Sequence, residues 1–424
     1  MTNPEQMDSF GDTESEAAEA GKSVMALHLR DLEGGGIQQV MLRLVKSLIE
    51  RGWGVDLVLN RFEGELKEEI PEGVRVVVLQ TDALVRGRWL ALRIALLSGS
   101  LSAGWLLSAK RKDISCLPGL TEYLQSRRPL ALFAASPISN ALAVWAKQLA
   151  NVPTRVLVSE HSPASVRWGN KKWSKRITLS RLMGVTYPRA DAIVAVSRGV
   201  GDDLATLTGL ARERITTIYN PVVTPEISER SRERAPHPWL EAIEETPVIV
   251  AAGRLGASEK NLPLLLRAFS GVRGARNARL VVFGEGDARA RLESLAHELG
   301  IALDVDFPGF IANPYAAFAR ASVFVLSSDY EGLGNVLIEA LACGCPVVST
   351  DCPSGPREIL DGGRYGTLVP VGNVEELATA ILRTLDAPLS ADELRQRARG
   401  FSVDRATDNY LSVIVPDLTV VTNE

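Results

Sequence analysis

Short apolar runs alternate with segments of helical period along almost the whole chain, and that alternation restricts the fold more than any other feature. "SVMALHL" (Ser23–Leu29) reads as an opening strand. After "GGG", apolar residues recur at Ile37, Val40, Met41, Leu44, Val45, Leu48 and Ile49, the spacing of one helix face. "VDLVL", "VRVVVL", "LALFAAS", "RVLVS" and "AIVAVS" supply further strands. The pattern breaks after "TTIYNPVV" (Thr216–Val223) into "TPEISERSRERAPHPW", a polar, charged, proline-containing stretch that reads as a linker. A second series follows in "VIVAAG", "LVVFG", "VFVLSS", "PVVST" and "GTLVP", again with helical pattern between the runs. Strands separated by helices predict parallel sheets covered on both faces, here two doubly wound α/β domains in tandem. Ligands of such sheets bind at the carboxyl ends of the strands, so the loops there are the place to search.

Composition supports two soluble-type domains and narrows the partners. At 424 residues, with 46% apolar and 23% charged residues, the chain can bury two cores. A net charge of -4 and a pI near 5.8 argue against a general nucleic-acid binder. Residues 1–21, with "DTESEAAEAG", read as an acidic disordered tail, and no signal peptide is visible. Cys116, Cys343, Cys345 and Cys352 make no disulfide framework, and no histidine lies near them in sequence, so buried thiols are expected rather than a metal site.

Four strand-end loops carry unusual residues. Gly34–Gly36 in "LEGGGIQQV" leave bare N–H groups at a helix start, where an anion can approach, although tight turns use glycine as well. In "AAGRLGASEKN", Arg254 and Lys260 are two cations that could hold a pyrophosphate or could be plain surface charges. "VFGEGDARARLE" suggests a dinucleotide loop, but Arg289 stands where the third glycine belongs, and a tight turn fits better. "DVD" at 304–306 resembles a metal motif, yet the "FPGF" after it suggests a strand edge and a turn. The fourth loop lies in "EGLGNVLIEALACGCPVVST" (Glu331–Thr350), a helix with its apolar stripe at Val336, Leu337, Ala340 and Leu341. Glu331 precedes its glycine-rich start, and Glu339 lies one turn past Asn335 on the same face. Free amides at such a start donate to anionic or polar sugar atoms, and carboxylates accept hydrogen bonds from vicinal hydroxyls. These residues point to a sugar nucleotide.

Taken together, the chain resembles the family 4 glycosyltransferases, whose signature of two glutamates with seven residues between them is met by Glu331 and Glu339. The resemblance also covers "GGGIQQVMLRLVKSLIERGWGVDLV", "ADAIVAVSRGVGDDL", "IYNPV", "GRL....KN", "FGEGDARARLE" and "DCPSGPREIL", nearly all the chain after the tail. It implies the GT-B fold, two Rossmann-like doubly wound domains facing across a cleft. The expected limits are an acceptor-side domain at 22–223, a linker at 224–245 and a nucleotide-sugar domain at 246–404. A C-terminal helix and tail at 405–424 would be placed to pack back on the first domain. It further implies a retaining hexosyl- or N-acetylhexosaminyltransferase acting on a UDP-linked donor and a glycan or lipid-linked acceptor, without cofactor or metal. Arg254 and Lys260 would bind the donor diphosphate and Glu339 the ribose. Glu331 with the amides of Gly332, Leu333, Gly334 and Asn335 would hold the donor sugar, and Gly35 and Gly36 would approach it. His161, in "VSEHSP", falls at the family's histidine near the donor sugar; the residues alone read as a loop or core histidine. The spacer in "GRLGASEKN" departs from the family's usual one, so the reach of Lys260 is the point the structure must settle.

"WLALRIALLSGSLSAGWLLSA" (Trp89–Ala109) holds a single charge, Arg93, but four serines and two glycines weaken it as a membrane span. An interfacial segment and an ordinary core helix with its loop both fit it. Flanking cations at Arg86, Arg88, Lys110, Arg111 and Lys112, with Lys171, Lys172, Lys175, Arg176 and Arg181 beyond, suit contact with anionic lipid. The expected location is therefore cytoplasmic, peripheral on the inner face of a membrane. Two rival readings stay open on sequence: a non-catalytic, membrane-apposed sugar-nucleotide-binding protein, and a dinucleotide-dependent oxidoreductase.

Overall fold

The computed structural model describes residues 23–80, 89–90, 93, 112–167, 173–241, 246–256 and 258–416. The acidic tail and all but the edges of the Trp89–Lys112 segment lie outside the described residues, as do Lys171 and Lys172. One compact unit ends at Leu157 and a second begins at Val158.

Thirteen strands are found among the described residues. β1 (Val24–Leu29), β2 (Gly54–Leu59), β3 (Val74–Val78), β4 (Ala131–Ala135), β5 (Arg155–Glu160), β6 (Ala192–Ala195) and β7 (Ile215–Thr217) form a sheet of order β3-β2-β1-β4-β5-β6-β7. β8 (Val248–Ala252), β9 (Arg279–Phe283), β10 (Val305–Gly309), β11 (Val323–Leu326), β12 (Val347–Thr350) and β13 (Thr367–Val369) form another, of order β10-β9-β8-β11-β12-β13. All five pairings of the second sheet are parallel. In the first sheet β1 pairs in parallel with β2 and with β4. Helices on both faces explain why β1, β4 and β11 read as unbroken apolar runs rather than alternating ones.

Among the described residues, the helices of eight or more residues are α1 (Gly36–Glu50), α2 (Leu117–Arg127), α3 (Pro137–Ala150), α4 (Trp173–Thr186), α5 (Arg198–Thr208) and α6 (Leu262–Ala275). After them come α7 (Arg289–Glu298), α8 (Asn335–Ala342), α9 (Val374–Asp386), α10 (Ala391–Ala398) and α11 (Val403–Ile414). On α1 the expected stripe is buried at Val40, Met41, Leu44, Val45 and Leu48. On α8 the stripe differs by one residue: Ile338 is buried with Leu337, Ala340 and Leu341, while Val336 is only partly covered.

The "DVD…FPGF" stretch, expected as a strand edge and turn, supplies a full edge strand, β10. Its register slips between Asp306 and Gly309, where Pro308 brings no N–H to the ladder. Both carboxylates are engaged, Asp304 in an ion pair with Arg273 at 2.7 Å and Asp306 in a hydrogen bond with His237 Nε2 at 2.8 Å. The polar stretch after β7 holds two short helices, Pro225–Arg230 and Pro238–Glu241. The start of α11 is tied to the segment after β7: Val403 N donates to the Val223 carbonyl at 3.0 Å, and Val222 N and Val223 N donate to that of Phe401.

Candidate functional site

In the second sheet β8 lies beside β11, with Ile249 opposite Val323 and Val250 opposite Phe324. From β8 the chain turns toward β9 on one side, and from β11 toward β12 on the other. Such a switch point opens a crevice beyond the strand ends. Two loops meet there, Gly253–Asn261 after β8 and Ser327–Gly334 after β11. Asp329 N donates to the Glu259 carbonyl at 2.7 Å, Ser327 Oγ to the Lys260 carbonyl at 2.8 Å, and Asn261 Nδ2 to Asp329 Oδ1 at 2.7 Å. Asn261 itself has a left-handed backbone (φ 43°), and its Oδ1 caps α6 by accepting from Leu264 N.

This zipper fixes the reach of Lys260. Its Nζ lies 2.7 Å from Glu331 Oε1, with the two side chains 21% and 12% exposed. The same carboxylate oxygen accepts from Ser328 Oγ at 2.7 Å. Arg254, by contrast, is exposed on its loop and makes no ion pair or side-chain hydrogen bond among the described residues. The site therefore holds one cation neutralised by a carboxylate and one cation facing solvent. The glycine turn after β9 buttresses the same loop: Gly253 N donates to the Phe283 carbonyl at 2.9 Å and Leu255 N to that of Glu285 at 2.8 Å. The tight-turn reading of "GEG" therefore holds.

The two glycines of "EGLGN" are there for different reasons. A Cβ on Gly332 would lie 1.9 Å from the His161 carbonyl oxygen, so no side chain fits. Gly334 has φ 96°, a left-handed conformation that permits the sharp entry into α8. No side chain caps α8 and no acidic residue lies in its first turn; of its leading amides, Leu337 N donates to the Gly334 carbonyl at 2.9 Å. Glu339 sits half-buried one turn on, and its charge adds to burial in pushing the Cys343 thiol up to about 12. Cys352 is likewise pushed up to about 12, first by burial and then by Glu331, so these sulfurs are protonated thiols. His161, brought against Gly332 through its carbonyl, has its imidazole pKa lowered by burial to about 4 and is neutral at pH 7. Its Nε2 lies 3.0 Å from Ser159 Oγ.

Three further side chains escaped the sequence reading: two bond this loop and the start of α8, and the third braces the start of α5 beside them. Ser197 Oγ accepts from Val200 N as the cap of α5 and donates its proton to the Gly332 carbonyl at 2.7 Å. Asn220 Nδ2 donates to Asn335 Oδ1 at 2.8 Å. Glu358 accepts from Arg198 N, Gly199 N and the Tyr219 hydroxyl. "SRGV" carried a recognisable helix-cap signal, but nothing in the chain marks that one serine would serve two elements.

Gly35 and Gly36 lie in the other unit, at the start of α1. Gly35 has extended backbone (φ -137°) and no side-chain cap, and nothing lies within 4 Å of a Cβ built on Gly36. Neither glycine is required by its backbone angles; a Cβ on Gly35 would meet the end of the Gln38 side chain at 2.6 Å, so the space is open at Gly36 only.

Comparison with known proteins fits this architecture. The profile described as "Glycosyl transferase 4-like domain" matches residues 35–221, and that described as "Glycosyl transferases group 1" matches residues 246–387. The N-acetylgalactosamine-N,N'-diacetylbacillosaminyl-diphospho-undecaprenol 4-alpha-N-acetylgalactosaminyltransferase of Campylobacter jejuni is 31% identical over 267 residues, 63% of this chain and 69% of that protein. The lipopolysaccharide 1,6-galactosyltransferase of Escherichia coli is 24% identical over 333 residues, 77% of this chain and 84% of its own. The crystal structure of HepE from Anabaena in complex with UDP superposes with a TM-score of 0.68 at 18% identity, over 92% of this chain and 99% of that one, which establishes the GT-B fold. The paired glutamates, the cations after β8 and the extent of these matches lead to one family: the chain belongs to the family 4 glycosyltransferases.

Proposed function

We propose that the chain is a retaining hexosyl- or N-acetylhexosaminyltransferase that moves a sugar from a UDP-linked donor to a glycan or lipid-linked acceptor. The carrying observation is the meeting of Lys260 and Glu331 at the switch point, 2.7 Å apart, beside the uncapped start of α8. In this reading Arg254 and Lys260 take the donor diphosphate. Glu331 and the amides of Gly332, Leu333, Gly334 and Asn335 take the sugar, and Glu339 takes the ribose hydroxyls. Domain limits of 22–223 and 246–404 suit it, with Gly35 and Gly36 at the acceptor-side helix start. UDP is the nucleotide in the solved HepE complex, and the Campylobacter relative is named for a diphospho-undecaprenol acceptor.

In the reaction, the bond from the anomeric carbon to the β-phosphate oxygen breaks as an oxocarbenium-like sugar develops. The acceptor oxygen bonds to that carbon on the face the phosphate leaves, and its proton passes to the departing phosphate. The protein's part is to stabilise charge on the leaving diphosphate with fixed cations and helix-end amides. Neutral His161 can offer one hydrogen-bond donor or acceptor but no charge. This scheme uses no divalent metal: Arg254, Lys260 and the helix-end amides meet the leaving charge together.

The test is thermal melting with UDP-glucose, UDP-N-acetylglucosamine, UDP-N-acetylgalactosamine and GDP-mannose, followed by transfer of the labelled sugar. A ligand present at 100 times its Kd stabilises by about 2.7 kcal/mol, a readily measured shift. Proton NMR of the product should show the donor's anomeric configuration. No shift with any donor and no transfer would overturn the reading, and a shift without transfer would favour a non-catalytic binder. We further infer from the sequence a cytoplasmic, membrane-peripheral location through Trp89–Lys112. Among the described residues no helix is long and apolar enough to cross a membrane. Flotation with anionic liposomes should carry the wild type and not a Trp89→Ser, Trp105→Ser variant.

A further inference from the structure

Glu358 stands outside the paired-glutamate signature, yet its carboxylate accepts three hydrogen bonds near the donor loop. It sits on the single turn Pro356–Ile359, in the loop that leaves β12. Its Oε2 accepts from Arg198 N at 2.8 Å and from the Tyr219 hydroxyl at 3.0 Å, and its Oε1 accepts from Gly199 N at 3.0 Å. With Val200 N bonded to Ser197 Oγ, the three leading amides of α5 are all satisfied. A carboxylate at a helix start is also favoured by the helix dipole. The N-terminus of α5 is thereby filled from within the protein and is not an open anion site.

The loop that Glu358 anchors is pressed onto the donor loop. Glu331 N donates to the Pro353 carbonyl at 3.4 Å, and a Cβ on Gly355 would sit 2.0 Å from the Leu333 carbonyl oxygen. Ser354 in turn abuts Gly199, where a Cβ would meet its Oγ at 2.8 Å. Residues 353–358 are thus a wedge with α5 on one side and residues 331–333 on the other. Ser197, through the Gly332 carbonyl, closes the circuit at its far end.

We propose that Glu358 is a positioning residue of the transferase reaction: by clamping the first turn of α5 and Tyr219, it holds the wedge that sets residues 331–335 for the donor sugar. This rests on the proposed donor site and adds a residue to it. Arg254 and Lys260 lie on the loop after β8, and of the two only Lys260 is linked to the wedge, at one remove through Glu331. Loss of the clamp should therefore weaken the grip on the sugar more than that on the nucleoside diphosphate. If the loop is competent only part of the time, apparent affinity falls by that fraction.

The experiment compares wild type with Glu358→Gln and Tyr219→Phe by calorimetry, using UDP and the nucleotide sugar that most stabilises the wild type. Glutamine keeps the shape but presents an NH2 to one of the two amides. Expected for Glu358→Gln are UDP affinity within twofold of wild type and nucleotide-sugar affinity lowered tenfold or more. Tyr219→Phe, which removes one hydroxyl, should lie between. Amide hydrogen exchange without ligand should quicken at 331–335 as well as at Arg198 and Gly199. Equal losses for UDP and the nucleotide sugar, or unchanged exchange at 331–335, would overturn the proposal and leave Glu358 a structural cap. Failure of the wild type to bind any nucleotide or nucleotide sugar would instead sink the donor site itself.

Discussion

The two sheets each have a switch point, and the two differ sharply in how they are furnished. In the second sheet, the loops after β8 and β11 are cross-linked by three hydrogen bonds and a Lys260–Glu331 pair, while Arg254 faces solvent. In the first, β1 and β4 are followed by three glycines without positive φ and by Ser136, whose backbone (φ 99°, ψ 145°) lies where non-glycine residues are strained. Fixed charge and a rigid zipper suit a ligand whose charged part never changes, such as a diphosphate. Open space and a strained turn suit a surface shaped for one acceptor. That contrast is where the proposed division of labour can be attacked.

The largest effect should come from the furnished end. Arg254→Ala or Lys260→Ala is expected to lower turnover by roughly 100-fold or more, as loss of a charge stabiliser does elsewhere. Gly36→Ala, which adds a methyl into open space, should leave donor turnover within a few-fold. Both cation variants at wild-type turnover, while folded by circular dichroism, would erase the distinction. Removing Lys260 also leaves Glu331 with Ser328 as its side-chain partner, so a stability loss of about 1–3 kcal/mol should accompany that variant and not Arg254→Ala.

Next in size, Glu339→Ala should weaken donor binding about tenfold with little change in kcat, because a ribose contact is equally present in ground and transition states. Unchanged affinity by calorimetry would make Glu339 a structural carboxylate beside Cys343. In the first sheet, Ser136→Gly should stabilise the fold by about 1 kcal/mol by relieving its backbone, read from the midpoint of denaturant unfolding. A destabilised variant would mean that the Ser136 hydroxyl, 3.2 Å from Ser139 Oγ, outweighs the strain.

The smallest effect concerns pH. His161 has a pKa lowered by burial from 6.5 to about 4, so between those values the unfolded chain binds a proton that the folded one does not. Stability therefore falls as pH drops from about 6.5 to about 4, and His161→Gln should make that limb of the Tm profile shallower. An identical slope in the variant would show that the imidazole is not the group responsible.

Much of this was legible in the sequence because parallel strands covered on both faces advertise themselves as apolar runs. Eleven strands follow from such runs; the three-residue β7 is too short to stand out from the stretch that closes the first series, and β10 is hidden because Pro308 and the two aspartates give it the look of a turn. Lys260 and Glu331 were each legible as residue types at strand ends, but their 2.7 Å contact depends on strand order, which no local pattern encodes. Ser197, Asn220 and Glu358 were silent for the same reason. Serine, asparagine and glutamate are ordinary on a surface, and their importance lies in partners more than 100 residues away, Gly332, Asn335 and Gly199.

The Lys260–Glu331 contact also carries a kinetic implication. Its members are 71 positions apart and lie in the loops after two strands that pair only after β9 and β10 have been laid on the other flank or left waiting. Closing so long a loop is entropically slow compared with forming any single helix, and long-range parallel pairing is late in folding as a rule. Helical signal should accordingly return early when the chain is diluted from denaturant, while competence to bind a nucleotide sugar returns last, once β8 and β11 have found each other.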